Sequence, residues 1–279
     1  MMGRLFTVFI LVLAIVPTHA NDAAADDRIV LPGTGLFDAD EGTVECWVKF
    51  AFEPLADHGA HRGWGTLFHF DFGDPAFPGD GLRISLHSVE VGRRSRTGQQ
   101  LRLRAIISSG GVAVMHPTVS GFGQDVTRNQ WYHVAVTWSA EQRALHVYIN
   151  GERKSVRTFH SHRNYQPTLT GQARLSLGSS LTQPAQPHLF AIDQLRISAT
   201  ARSAEQLGYH EGPLAPDAQT LLLMTFDEAS PDSQVIPITY AAPTALGDTE
   251  LARPTFARLI EGCFGGHALA FTQEAFGAP

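Results

Sequence analysis

The chain has 279 residues, 43% of them apolar, with 21 Lys and Arg set against 27 Asp and Glu for a formal charge of −6. That mildly acidic balance, without a long basic block, argues against nucleic acid as a partner. The length is enough to bury a full core without covalent staples, and the two cysteines, Cys46 and Cys263, allow either one disulfide or two buried thiols.

Residues 1–20 read as a secretory signal. Arg4 precedes an unbroken apolar run from Leu5 to Val16, Pro17 ends the run, and Thr18-His19-Ala20 supplies small residues for cleavage. Such a run is too short to span a bilayer, and no later stretch is long and apolar enough to do so. The sequence thus predicts a mature chain from Asn21, secreted to the periplasm or the extracellular space, with no membrane span after cleavage. The 259 residues left carry a formal charge of −7, because Arg4 is lost. Export also makes a Cys46–Cys263 bond permissible.

Past the signal, helical periodicity is nearly absent. Short runs rich in Val, Ile, Leu, Trp and Phe recur between Gly, Pro, Asn and Ser, the mark of a sandwich or barrel. In chain order they are Arg28–Pro32, Gly42–Phe50, Thr66–Phe72, Leu82–His87, Leu101–Ser108, Val112–His116, Trp131–Ser139, Ala144–Asn150, Arg174–Gly178, Phe190–Ser198 and Thr220–Phe226. Four residues join Trp131–Ser139 to Ala144–Asn150, a hairpin length, and Asn150-Gly151 supplies the next tight turn. Ser203 is placed to cap a short helix over Ala204–Tyr209, and the Gly, Pro and Ala of residues 211–219 read as a linker to a C-terminal segment, 220–279.

Alternation assigns faces. Tyr132, Val134, Val136 and Trp138 form a core face, as do Leu145, Val147 and Ile149. Trp131, His133, Ala135, Thr137 and Ser139 point the other way, together with His146 and Tyr148. Aromatic and imidazole groups on such a face suit stacking against sugar rings, although isolated surface aromatics are ordinary. Asp57, His58, His61, His69 and Asp71 are metal-ligand types without a spacing that fixes geometry, so solvated loop residues are the simpler reading. Arg93, Arg94 and Arg96 form a small basic turn, suited to an anionic polysaccharide or simply to solvent.

Several ordered stretches resemble the LamG-like (concanavalin A-like, laminin G type) jelly-roll family. They are Glu41–Val48 (EGTVECWV), Gln130–Thr137 (QWYHVAVT), Leu145–Glu152 (LHVYINGE), Leu175–Gly178 (LSLG) and Ile192–Ser198 (IDQLRIS) followed by Ala201-Arg202-Ser203. The resemblance covers residues 29–210 and implies an all-β, two-sheet antiparallel sandwich over residues 21–210. The opening piece of the family module is missing from the start. A similar piece occurs at Leu221–Glu228 (LLLMTFDE) and Gly262–Phe271 (GCFGGHALAF), so the order looks circularly permuted, with 220–279 expected to complete the same sandwich. The rival is a truncated second module.

The resemblance also implies chemistry. Many family members bind Ca²⁺ through oxygen ligands, and the matched positions here are Asp193, Asp227 and Glu228, with Gln194 where the pattern has Glu. The alternative for Asp193 is a carboxylate satisfied by nearby backbone N–H groups. Glycoside hydrolases of this architecture carry alternating carboxylates on one strand, an arrangement absent here, since Asp193 is flanked at alternate positions by Ala191 and Leu195. The expectation is therefore a non-catalytic module binding a glycan or an extracellular or cell-surface ligand. An adhesion module for protein contact is the alternative, and a glycan-active hydrolase or lyase a more distant one.

Overall fold

A computed structural model describes residues 28–51, 65–90, 99–115, 117–119, 126–158, 168–179, 181, 190–209, 212–230, 235–238, 249–252 and 257–271. Their strands in chain order are β1 (Ile29–Pro32), β2 (Glu41–Phe50), β3 (Gly65–Asp71), β4 (Gly81–Glu90), β5 (Gln99–Ser109), β6 (Val112–Met115), β7 (Thr118–Val119), β8 (Trp131–Ser139) and β9 (Ala144–Ile149). They continue with β10 (Glu152–Thr158), β11 (Arg174–Leu177), β12 (Phe190–Ser198), β13 (Thr220–Met224), β14 (Val235–Ile238), β15 (Thr249–Ala252), β16 (Arg258–Glu261) and β17 (His267–Ala270). The all-β, two-sheet antiparallel sandwich expected from the sequence is the architecture found. The first sheet runs β1-β11-β3-β4-β5-β6 with β7 also on β5, and the second runs β10-β9-β8-β2-β12-β17-β16 with β13 also on β12.

Alternation sorts the second sheet as the residues predict. Tyr132, Val134, Val136 and Trp138 of β8 and Leu145, Val147 and Ile149 of β9 enter the core, where they meet Phe70, Leu82, Ile84 and Leu103 of the first sheet. Phe37, on the β1–β2 connection, ties the layers together: its ring stacks 4.9 Å from Phe70 of β3 and 4.7 Å from Trp138 of β8. Trp138 is nearly inaccessible, and its indole N–H is satisfied by the Asp38 carbonyl at 2.8 Å.

β12 departs from regular alternation. Its pairing with β2 shifts register between Asp193 and Arg196, and Gln194 adopts φ 50°. This β-bulge puts Leu195 into the core and leaves Asp193 and Arg196, three residues apart, on the same outer face. The far edge of β12 is shared: β13 pairs with Leu195–Ser198 and β17 with Ala191–Ile192. Phe226 and Phe271 are 2% and 1% exposed within the main core, and the Phe271 ring lies 5.5 Å from that of Phe190.

The Ala204–Tyr209 helix is shorter than expected, a 3-10 turn over Ala204–Gln206 with Ser203 and Gln206 closing a capping box. The stretch read as a linker is tied down in its described part. The Leu214 N–H donates to Gln194 Oε1 at 2.6 Å, and the Ala215 carbonyl accepts from Arg196 at 2.8 Å. The signal read at residues 1–20 lies outside the described residues. No described helix is long and apolar enough to cross a membrane.

Candidate functional site

The outer face of the second sheet carries the side chains that alternation withholds from the core. Trp47 of β2 lies opposite both Asp193 and His133, and Glu45 opposite Arg196 and Ala135. One part of this face is sealed. Arg196 donates from Nε and Nη2 to Glu45 Oε1 at 2.8 and 2.6 Å, while Glu45 Oε2 takes His133 Nε2 and the Gly208 N–H, each at 3.0 Å. Burial pushes the Glu45 carboxyl up, but the His133 hydrogen bond, the charges of Arg196 and His133 and the Gly208 amide outweigh it and hold the group below its ordinary value. Tyr209 then stacks at 5.9 Å on Trp47, and Phe264 meets the same indole edge-on at 5.2 Å. This cluster is a clamp for residues 203–209 and 212–215.

Beside the clamp, over β8 and β9, the face stays open. A cleft of about 460 Å³ lies there, between Thr137, His146 and Tyr148 on the sheet, Arg153 and Gln142 on its flanks, and residues 201–205 as the far wall. The volume is within the usual range for a small-ligand site. Tyr148 forms the floor, its ring buried against Ala135, Leu207 and Ala204, and its hydroxyl sits 3.3 Å from His146 Nδ1. Burial, and then the charge of Arg153, hold the His146 imidazole below its usual pKa, which leaves it a neutral ring with one donor and one acceptor. Arg202 is turned away, with Nη2 on both oxygens of Asp217 at 2.8 Å and Nε on Ser198 Oγ at 2.9 Å. On the far wall the Ser203 hydroxyl donates to Glu205 at 2.7 Å. The cleft thus offers an aromatic floor and mixed neutral donors and acceptors, with a single carboxylate among its described lining residues.

The residues expected to hold calcium are only partly brought together. Asp193 Oδ2 accepts the Cys263 N–H at 2.8 Å and Asp227 Oδ1 accepts the His267 N–H at 2.9 Å, so both carboxylates hold the 262–267 turn, and Glu228 is exposed. Among the described residues no three His, Cys, Asp or Glu side chains converge on a point that a cation would occupy. Calcium draws on several oxygens, and at the matched Glu position Gln194 is used as an anchor for Leu214. Asp193 Oδ1 is buried without a partner, and burial and the nearby Asp227 charge push the carboxyl up to about 7 against its bonds to Cys263 and Gln194.

The two cysteines are free thiols. Cys46 points into the core, whereas Cys263 lies beside Asp193 on the outer side of the same sheet, so the bond allowed by the sequence is not formed. His69 is buried, with Nδ1 accepting the Leu181 N–H at 3.2 Å, and Asp71 caps Gly73 at 2.7 Å. Asp57, His58, His61 and the Arg93–Arg96 turn lie outside the described residues. The outward direction of His146 and Tyr148 is legible in the strand alternation. Arg153 and the 201–205 wall are not, because no local pattern brings them to β9.

Residues 22–208 match the third laminin G family model, described as the concanavalin A-like lectin/glucanases superfamily. No curated protein matches the sequence. Among solved structures, the enzymatically active domain of tailspike protein 2 from bacteriophage CBA120 superposes with a TM-score of 0.51 at 10% identity, over 73% of this chain and 29% of that one. A candidate carbohydrate binding protein from Bacteroides ovatus gives 0.48 at 16% identity, over 81% and 55%. The CBM40 of the Ruminococcus gnavus IT-sialidase, bound to α2,3-sialyllactose, gives 0.40 at 12%, over 60% and 80%. The chain thus spans about half the length of the Bacteroides protein and under a third of the tailspike domain. At these identities the likeness is one of fold.

Proposed function

The chain belongs to this concanavalin A-like lectin/glucanases family of the laminin G type, and from that premise we propose that it is a secreted, non-catalytic module that binds a glycan in the cleft over β8 and β9. The observation that carries the reading is the pairing of the Tyr148 floor with the neutral His146 imidazole, framed by Gln142, Arg153, Ser203 and Glu205. Sugar hydroxyls act as both donors and acceptors, and this set answers both roles beside an apolar ring. Hydrolysis by paired carboxylates needs two groups about 5–10 Å apart, and among the described residues the cleft lining contains Glu205 alone. Export rests on the leader at residues 1–20, which calls for a mature N-terminus at Asn21.

A glycan array on the mature protein, run with and without calcium, tests the proposal. Binding that His146→Ala and Tyr148→Phe each weaken by about three- to tenfold, the loss of one hydrogen bond, supports it. Absence of binding under both conditions counts against it. The second reading, protein contact, is favoured by Phe77 and Val112, which are 42% and 47% exposed near the β5–β6 turn, where Phe77 packs over Gly111. Loss of a pulled-down protein partner on Phe77→Ser, with the glycan array blank, selects that reading.

A further inference from the structure

The cleft over β8 and β9 has two chemically different ends. Cross-strand register sets Ala135 of β8 beside Tyr148 of β9, and Tyr148 beside Arg153 of β10. Arg153 therefore stands next to the aromatic floor, on the edge strand of the sheet. The register shifts between Arg153 and Ser155, which makes Lys154 the extra residue of a bulge and leaves Arg153 paired with Tyr148. The charge reaches the His146 imidazole, which burial and then Arg153 hold below its usual pKa. The other end is the 201–205 wall, which follows β12 on the far side of β8 and meets the floor through Ala204. There Glu205 accepts the Ser203 hydroxyl. β10 lies two strand spacings from β8, about 10 Å, so the cleft runs from a cation at its edge to a carboxylate at its inner wall.

The neighbouring cations are already matched. Lys154 Nζ lies 2.6 Å from Glu152 Oε2, and Arg202 holds both oxygens of Asp217 at 2.8 Å. Arg153 is exposed and makes no hydrogen bond or ion pair with a described residue. Among the described lining residues it is the one unpaired cation. The chain has 27 acidic side chains to 21 basic ones, yet none of the described acids is spent on this guanidinium. Its planar fork takes a carboxylate or a tetrahedral oxyanion through paired N–H groups. We infer that the ligand of this cleft is an acidic glycan, with Arg153 as the residue that selects its carboxylate or sulfate. The inference rests on the glycan reading of the cleft and adds the charge of the ligand and its direction. The anionic group lies at the β10 edge, and neutral hydroxyls lie toward Ser203 and Glu205, where a second anion is repelled.

A glycan array with uronate, sulfated and neutral members tests this on the mature protein. Acidic members are expected to bind. Methyl-esterifying a bound uronate, or desulfating a bound sulfated glycan, is expected to weaken it about tenfold, the value of one charge-assisted contact, and the susceptible class identifies carboxylate or sulfate. Arg153→Gln is expected to lose the same factor for the acidic glycan and nothing for its neutral derivative. Arg153→Lys, which keeps the charge without the fork, falls between. Arg153 has no described partner to lose, so the melting temperature of Arg153→Gln is expected to stay unchanged. Lys154→Gln, one residue along the same strand, is expected to bind as the parent does. Binding confined to neutral glycans, or equal loss of the acidic glycan and its neutral derivative in Arg153→Gln, overturns the selection by charge and leaves the cleft standing. A blank array overturns the cleft reading itself. Acidic binding that survives both Arg153→Gln and His146→Ala overturns both.

Discussion

Arg196 grips Glu45 through two nitrogens on a single carboxylate oxygen, at 2.8 and 2.6 Å, in a site where the Glu45 side chain is wholly buried. The second Glu45 oxygen is taken by His133 and Gly208, so every strong acceptor direction of the carboxylate is used. Replacing Glu45 with Gln leaves the guanidinium buried without its anion. The expected cost is about 3–5 kcal/mol, seen as a lower midpoint in urea, with loosening of residues 203–209 detected by faster proteolysis there. A variant of unchanged midpoint contradicts the clamp.

Asp193 sets a pH dependence of opposite sign to a salt-bridged acid. Its carboxyl is raised from 3.8 to about 7, so between those values the folded protein holds a proton that the unfolded chain has released. Stability therefore falls as pH rises through about 4 to 7, and the group adds no slope below that window. Asp193→Asn keeps an acceptor for the Cys263 N–H and removes the ionisation. Thermal unfolding at pH 4, 6 and 8 should show the variant level with the parent at pH 4 and more stable at pH 8. Parallel curves contradict the shift.

Gly81 opens β4 where the strand passes close to β3. A Cβ there runs into the Phe70 carbonyl oxygen and comes within 3.2 Å of the Asp71 Cα, both backbone atoms that cannot swing aside. Gly81→Ala is expected to destabilise by about 1–3 kcal/mol. At Gly171 a Cβ meets nothing within 4 Å, and alanine there should be neutral or slightly stabilising. The pair is compared by denaturant midpoint.

Phe271 tests whether the C-terminal strands share the main core. Its ring packs on Phe190, and its amide donates to the Phe190 carbonyl at 2.9 Å. Phe271→Ala should cost about 3–5 kcal/mol and shift one cooperative transition by fluorescence and circular dichroism alike. A second, separate transition that alone responds argues for an independent C-terminal unit.

The fold was legible where burial is one-sided and the strand long. Trp131–Ser139 and Phe190–Ser198 have the bounds their apolar runs suggest. Glu152–Thr158 (ERKSVRT) and Arg258–Glu261 (RLIE) did not read as strands, because they lie at the ends of the second sheet, where one edge needs no apolar partner. Within the site, alternation identifies His146 and Tyr148 as outward. It fails at β12, where the bulge at Gln194 sends Arg196 and not Leu195 to the Asp193 face.

The split edge of β12 has a bearing on when the protein can fold. Until β13 and β17 have been made, the outer half of β12 shows a row of open amide and carbonyl groups, and Phe190 lacks its ring partner. A nascent chain halted near residue 219 would thus be a sheet with a sticky border. The last described strand, β17, closes against one formed almost 80 residues earlier, a long loop to close and a slow one. Under the export proposed above, such an arrangement postpones the finished sandwich until the far side of the membrane is reached.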